Sequence, residues 1–362
     1  MLGAGLLVLL TMGLAFANGA NDVSKGIATL VGSGVSSDRR ALAWGATWTM
    51  AGALGAGFVS RSLVAVFSGS GVLTTPAASV AFPLAVAAGV IGWLGFATRT
   101  GLPVSTTHAL VGGLVGAGLM AGGPAGVRWA TVAQRVALPL AVSPLLSLAL
   151  VSVILPGVTL LFRRLNRYCV CLERHELALA PAMPGPAIGT ARALHVIAGT
   201  DCPPQVLTRF NALDSVHWLS AGLTSGARAL NDAPKILALG ITAAPTLGLG
   251  IGSLVAMGAL AMGVGSLLEG GRVTHTLADK VTRIAPDDGL AANLVTSTLV
   301  GIASLVAAPV STTHVSTGAI VGVGMHRRRV RWKLVGELLL AWVVTVPVTA
   351  AMAAASYRLL AP

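Results

Sequence analysis

Ten apolar blocks alternate with short polar intervals along the chain: roughly Leu2–Val35, Ala41–Val59, Val80–Ala97, Val104–Ala121, Trp129–Phe162, Ser215–Ala243, Thr246–Leu268, Gly289–Ala308, Val310–Met325 and Leu334–Tyr357. A helix needs about 20 apolar residues to cross a bilayer core, so most blocks have the length of one crossing. The first and sixth blocks are too long for a plain span and carry polar residues at their centres. A polar connector, about Arg163 to Asp214, separates the fifth and sixth blocks and holds Pro181, Pro184, Pro186, Pro203 and Pro204. The pattern predicts an all-α polytopic membrane protein with about 10–12 membrane segments, some of them broken or re-entrant. Residues 1–163 form an N-terminal membrane repeat, 164–213 a connector and 214–362 a C-terminal membrane repeat.

Composition agrees. Of the residues 54% are hydrophobic and 10% charged, against about 25% charged in a soluble domain. So little charge cannot clothe a water-facing surface, which excludes an ordinary cytosolic enzyme. The 45 glycines suit helices that approach closely in lipid, where no hydrophobic effect drives association. A net charge of +12 would point to nucleic acid in a soluble chain. Here it follows the positive-inside bias. If each block crosses once with the N-terminus outside, 17 Lys and Arg fall on one side and only Arg61, Arg128 and Arg358 on the other. That predicts a plasma-membrane protein with both termini outside and a cytoplasmic connector. No basic residue precedes Lys25, so Leu2 to Ala17 reads as a membrane segment rather than a leader. Cys169, Cys171 and Cys202 are odd in number and read as reduced thiols. A metal site with His175 is the weaker reading.

Two motifs recur. Asn21-Asp22-Val23-Ser24-Lys25 returns as Asn231-Asp232-Ala233-Pro234-Lys235, offset by 210. Pro103-Val104-Ser105-Thr106-Thr107-His108 returns without change as Pro309-Val310-Ser311-Thr312-Thr313-His314, offset by 206. Gly112, Gly116 and Gly118 match Gly318, Gly322 and Gly324. The chain is an internal duplication. Five crossings per half is an odd number, so the copies are expected to be inverted in topology.

Asp22 and Asp232 lie near the centres of apolar blocks, where a carboxylate is costly and marks an ion or proton path. With Asn21 and Asn231 they offer the hard oxygens that suit a coupling cation. The Ser-Thr-Thr runs supply hydroxyl donors beside a helix-interrupting proline, and a broken helix turns backbone N–H groups and a positive dipole end toward an anion. Two such runs would clamp a small tetrahedral oxyanion. Lys25 and Lys235 follow their aspartates by three residues, on the same face of a helix. They are candidates for anion contact and equally for neutralising the aspartates. His108 and His314 read as structural. The Gly112/Gly116 and Gly318/Gly322 spacings read as close-packing surfaces. Glu269 and Glu337 read as water-facing, and Arg327-Arg328-Arg329 as topological.

At Gly19-Ala20-Asn21-Asp22-Val23, Pro103–His108, Asn231-Asp232, Gly271-Arg272-Val273, Gly289-Leu290 and Pro309–His314 the chain resembles the inorganic phosphate transporter (PiT) family. The resemblance covers most of both halves and spares the connector. It implies a secondary transporter, not an enzyme, that imports phosphate with H⁺ or Na⁺ by alternating access. Ser105, Thr106, Thr107, Ser311, Thr312, Thr313, Lys25 and Lys235 would then bind substrate, and Asn21, Asp22, Asn231 and Asp232 the coupling cation. No cofactor is implied beyond a Na⁺ at those four positions. A homodimer would fit the family. A sulfate permease on the same scaffold is the alternative, since two lysines suit a pure acceptor. Many members carry Asn where Lys25 and Lys235 stand, although some bacterial relatives carry Lys in the second half; sodium-coupled relatives tend to have an acid where Thr49 stands, and Glu is common where Asn293 stands. These departures make the site more positive and favour proton coupling or fewer cations.

Overall fold

The computed structural model describes residues 1–59, 61–68, 71–74, 79–165, 168–178, 188–198 and 206–361. The first half contains α1 (Leu2–Asp22), α2 (Ser24–Gly32), α3 (Asp38–Val59), α4 (Arg61–Phe67), α5 (Ala81–Thr100), α6 (Thr106–Gly122), α7 (Trp129–Thr131) and α8 (Leu138–Leu165). A π-helical turn over Val132–Ala137 joins α7 to α8. The second half contains α9 (Ala212–Gly240), α10 (Ile251–Glu269), α11 (Gly271–His275), α12 (Pro286–Leu305), α13 (Thr312–His326) and α14 (Trp332–Leu360). Among the described residues six helical stretches are long and apolar enough to cross a membrane: Leu2–Gly32, Ala81–Thr100, Trp129–Leu165, Ile251–Glu269, Pro286–Leu305 and Trp332–Leu360. This is a multi-pass membrane protein.

The connector is more than a loop. It forms β1 (Tyr168–Ala178), β2 (Ile188–Ala198) and β3 (Val206–Phe210), an antiparallel sheet in the order β2-β1-β3. Cys169, Cys171 and His175 fall on β1 as backbone positions. Cys202 and the five connector prolines lie outside the described residues.

Both long blocks are irregular at the same repeat position. The first divides at Val23 into α1 and α2. The second stays one helix with Pro234 inside it; proline has no N–H for the ladder. Ser24, the counterpart of Pro234 at an offset of 210, turns its hydroxyl back to the Asn21 carbonyl at 2.9 Å. The hexapeptides behave alike. Each runs extended to a serine N-cap, Ser105 at φ −95° and Ser311 at φ −92°, before a buried helix begins. The helices they open, α6 and α13, have 17 and 15 residues. At 1.5 Å per residue these are about 25 and 22 Å long, short of a roughly 30 Å bilayer core. They are part-length helices whose N-termini meet inside the protein.

The halves are interlocked. Helix α6 packs along α14 and α13 along α8, while α3 packs against α9 and α10 against α1. Each pair joins one half to the other, and the pairs exchange under the repeat. Glycine makes the approach possible. A Cβ at Gly116 would occupy the Ala350 carbonyl, and one at Gly112 the Val346 carbonyl. Gly318 and Gly322 hold the corresponding places against Pro144 and Leu148. The glycine spacings are packing surfaces, as expected in lipid.

Candidate functional site

The two motif pairs converge on one buried cluster. Asp22, Lys25, Arg228 and Asp232 are each 1% exposed and Lys235 is 0% exposed. Charges taken this far from water cost several kcal/mol each unless paired and hydrogen-bonded. Their partners are correspondingly many.

In the first half, Lys25 pairs with Asp22 Oδ1 and donates to the Asn21 side chain at 3.0 Å, the Asn21 carbonyl at 3.2 Å and the Val104 carbonyl at 3.4 Å. Asn21 is oriented in turn by donating to Thr98 Oγ1 at 3.3 Å and the Leu102 carbonyl at 3.0 Å. The second half repeats the arrangement. Lys235 pairs with Asp232 at 3.2 Å, bonds the Asn231 side-chain carbonyl and donates to the Val310 carbonyl at 3.0 Å. Asn231 donates to Ser304 Oγ at 3.1 Å. Thr98 and Ser304, like Val104 and Val310, are 206 positions apart. The duplication has preserved a local hydrogen-bond circuit as well as a motif. Each lysine neutralises its own aspartate, and Lys235 also reaches a side chain across the halves, Thr107 Oγ1 at 2.8 Å.

The hexapeptides clasp each other. Thr107 donates to the Val310 carbonyl at 3.3 Å, and Thr313 donates to the Val104 carbonyl at 2.8 Å. Thr106 donates to Asp22 Oδ2 at 3.1 Å. Ser105 and Ser311 accept from the backbone N–H of His108 and His314, each at 3.2 Å. Their oxygens are therefore held as N-caps, which leaves the hydroxyl proton as their free function. Thr312 is buried at the first position of α13. Two helix N-termini, each with first-turn N–H groups that have no acceptor within the helix and with a positive dipole end, thus share one location with two aspartates and two lysines.

Three further residues belong to this cluster without belonging to either motif. Asn18 donates to Asp22 Oδ2 at 2.9 Å, to Thr106 Oγ1 at 3.0 Å and to Asp232 Oδ2 at 3.4 Å, so one amide spans both aspartates. Arg228 donates to Asn18 Oδ1 at 2.9 Å and to Thr49 Oγ1 at 2.7 Å. The available signal was positional. Asn18 and Arg228 are polar residues inside apolar blocks, 210 apart like the two aspartates. Asn293, by contrast, bonds α2, donating to Thr29 Oγ1 at 2.8 Å and the Gly26 carbonyl at 3.3 Å.

The two motif histidines lie against each other. Their rings lie 4.5 Å apart between centroids, and His314 also packs 3.9 Å from Trp342. His314 Nδ1 bonds the Leu140 carbonyl at 2.9 Å, which leaves Nε2 without a partner among the described residues; His108 Nδ1 has none either. Both line a mostly apolar cavity of about 620 Å³. Among the described residues no group of three His, Cys, Asp or Glu could hold a metal ion.

Known proteins resemble this chain along its whole length. The model of a family described as "Phosphate transporter family" matches residues 18–353. A Rhizobium meliloti protein named "Probable low-affinity inorganic phosphate transporter" is 29% identical, covering 97% of this chain and 94% of its own. A Mycobacterium tuberculosis protein with the same name is 29% identical over 98% of this chain and 77% of its own. A solved structure titled "The sodium-dependent phosphate transporter" superposes with a TM-score of 0.78, covering 99% of each chain at 21% identity. At that identity the likeness is one of fold.

Proposed function

Because the chain belongs to the phosphate transporter family, with the family model spanning residues 18–353, we propose that it imports inorganic phosphate together with a cation, H⁺ or Na⁺, by alternating access. It is a transporter and not an enzyme. The observation that carries the reading is the reciprocal clasp of Thr107 on Val310 and Thr313 on Val104, which brings both Asp–Lys pairs to one point.

The chemistry of that point suits orthophosphate. Thr312, the hydroxyl protons of Ser105 and Ser311, and the N-termini of α6 and α13 donate to anionic oxygens, and Thr106, Thr107 and Thr313 do so on exchanging their bonds to Asp22, Val310 and Val104 for the anion. Lys25 and Lys235 supply compensating charge. Asp22 and Asp232 accept the proton of a phosphate hydroxyl and, with Asn21 and Asn231, carry the coupling cation. Sulfate has no proton to donate at neutral pH and meets two carboxylates as a like charge. The relatives that match are named for phosphate, which leaves sulfate without support, and they lend none to a homodimer.

Alternating access requires two states related by exchange of the halves. Support comes from the matched packing of α6 on α14 and α13 on α8, which describes halves that mirror one another's contacts. The mechanism takes the two halves to be inverted in topology, as the spacing of the apolar blocks leads one to expect. The basic-residue distribution favours a plasma-membrane orientation with the connector in the cytoplasm.

The test is uptake of radiolabelled phosphate into liposomes holding the purified protein, driven by an inward cation gradient. Arsenate, which shares phosphate's shape and protonation, is expected to compete, and sulfate is expected to leave uptake unchanged. Equal competition by sulfate, or no gradient-driven uptake, overturns the proposal.

A further inference from the structure

Arg228 breaks the symmetry of the cluster. Its counterpart at the 210-residue offset is Asn18, and the two meet, Arg228 Nη1 donating to Asn18 Oδ1 at 2.9 Å. The duplicated position is thus neutral in one half and cationic in the other. Among the described residues the buried cluster holds three cations, Lys25, Arg228 and Lys235, against two carboxylates, Asp22 and Asp232. A guanidinium does not give up its proton in a protein, so this excess of one positive charge is permanent while both lysines stay charged.

The excess bears on what else can enter. A free alkali cation here would need the hard oxygens of Asn18, Thr49 and Asp22, or those of Asn21, Asn231 and Asp232, which already accept from Lys25, Lys235 and Asn18. Each is engaged by a donor. Asn18 Oδ1 and Thr49 Oγ1 accept from Arg228. Asp22 Oδ1 pairs with Lys25, and Asp22 Oδ2 accepts from Thr106 and Asn18. Another cation would raise an already positive low-dielectric site further, where like charges repel strongly. The donor set does not fit sodium. It does fit an anion: the buried Nε–H of Arg228 has no partner among the described residues, a donor left over for an oxyanion.

We propose that Arg228 is a tethered cation standing where a free sodium ion would otherwise bind, so that this protein moves phosphate without sodium. The inference rests on the phosphate-transport reading for its substrate, and its sodium half can be tested apart from transport.

The experiment is equilibrium binding of radiolabelled sodium to the purified full-length protein, alongside phosphate uptake into liposomes with sodium replaced by choline at constant pH gradient. The wild type is expected to show no saturable sodium binding and unchanged uptake in choline. Arg228→Asn, which places the Asn18 residue type in both halves, is expected to gain saturable sodium binding. Arg228→Lys keeps a charge and is expected to stay blind to sodium. Saturable sodium binding by the wild type overturns the proposal, as does loss of its uptake in choline. Sodium binding by Arg228→Lys, or none by an Arg228→Asn protein that still binds phosphate, does the same. If Arg228→Asn does not fold, the wild type and Arg228→Lys decide. A wild type that transports no phosphate sinks the functional reading, while its sodium binding still decides the role of Arg228.

Discussion

Thr313 in the second half donates its hydroxyl to the carbonyl of Val104 in the first, at 2.8 Å. That carbonyl precedes the helix opened by Thr106 and cannot join a regular ladder, so a buried acceptor that Lys25 reaches only at 3.4 Å takes its shorter bond from the other half. Thr313→Val keeps the shape and removes the donor. Leaving a buried acceptor poorly satisfied costs about 1–3 kcal/mol. We expect a lower unfolding temperature for the purified protein and a raised KM for phosphate. A variant with wild-type stability and KM would mean the clasp has no energetic role.

Asp22 and Asp232 each pair with a lysine that makes no second ion pair among the described residues. Asp22→Asn and Asp232→Asn preserve size while removing the coupling charge. Gradient-driven uptake is expected to fall to background with the amount of protein in the membrane fraction unchanged. Coupled uptake surviving in either variant would remove that aspartate from the cation path.

Gly116 touches the Ala350 backbone, whereas Gly122 has nothing near the place a Cβ would occupy. Gly116→Val must push α6 off α14 and therefore move Thr106 and Thr107 at the start of the same helix. Overpacking of this kind costs about 1–3 kcal/mol or more. Uptake is expected to be lost in Gly116→Val and retained in Gly122→Ala, with unfolding temperatures separating in the same order. Equal behaviour would show that the α6–α14 approach does not position the cluster.

Arg327 follows α13 and bonds Asp288 at 2.8 Å, Asp287 at 2.9 Å and Thr159 at 3.3 Å, tying α13, α12 and α8 together at one end. Its counterpart at the 206-residue offset is Ala121, which has no charge to make the same tie in the first half. Arg327→Gln leaves Asp288, which is 2% exposed, without its charge partner. Because the guanidinium is partly solvated, the loss is expected to be about 1–2 kcal/mol rather than the full cost of breaking a buried pair. Thermal unfolding of the purified variant checks it, and Asp288→Asn in the same background should restore part of the loss.

The amino-acid sequence by itself determined the membrane character, the duplication and the two motif pairs. Apolar run length and residue identity are local properties, and an identical hexapeptide can be recognised without coordinates. It also indicated that Lys25 and Lys235 lie beside their aspartates, because a three-residue spacing on a helix is short-range geometry. Only the tertiary structure decided what crosses between halves: Lys235 reaching Thr107, Asn18 bridging both aspartates, and Arg228 standing over Thr49. Lys235–Thr107, Arg228–Thr49 and Asn18–Asp232 join residues from 128 to 214 positions apart, and no periodicity encodes which helices adjoin. The strands of the connector were not legible for a related reason: their pairing depends on partners elsewhere in the chain rather than on a pattern within each strand. Charge balance within a membrane is likewise a property of the assembled cluster, so the excess cation became visible only when five buried charges were found in one place.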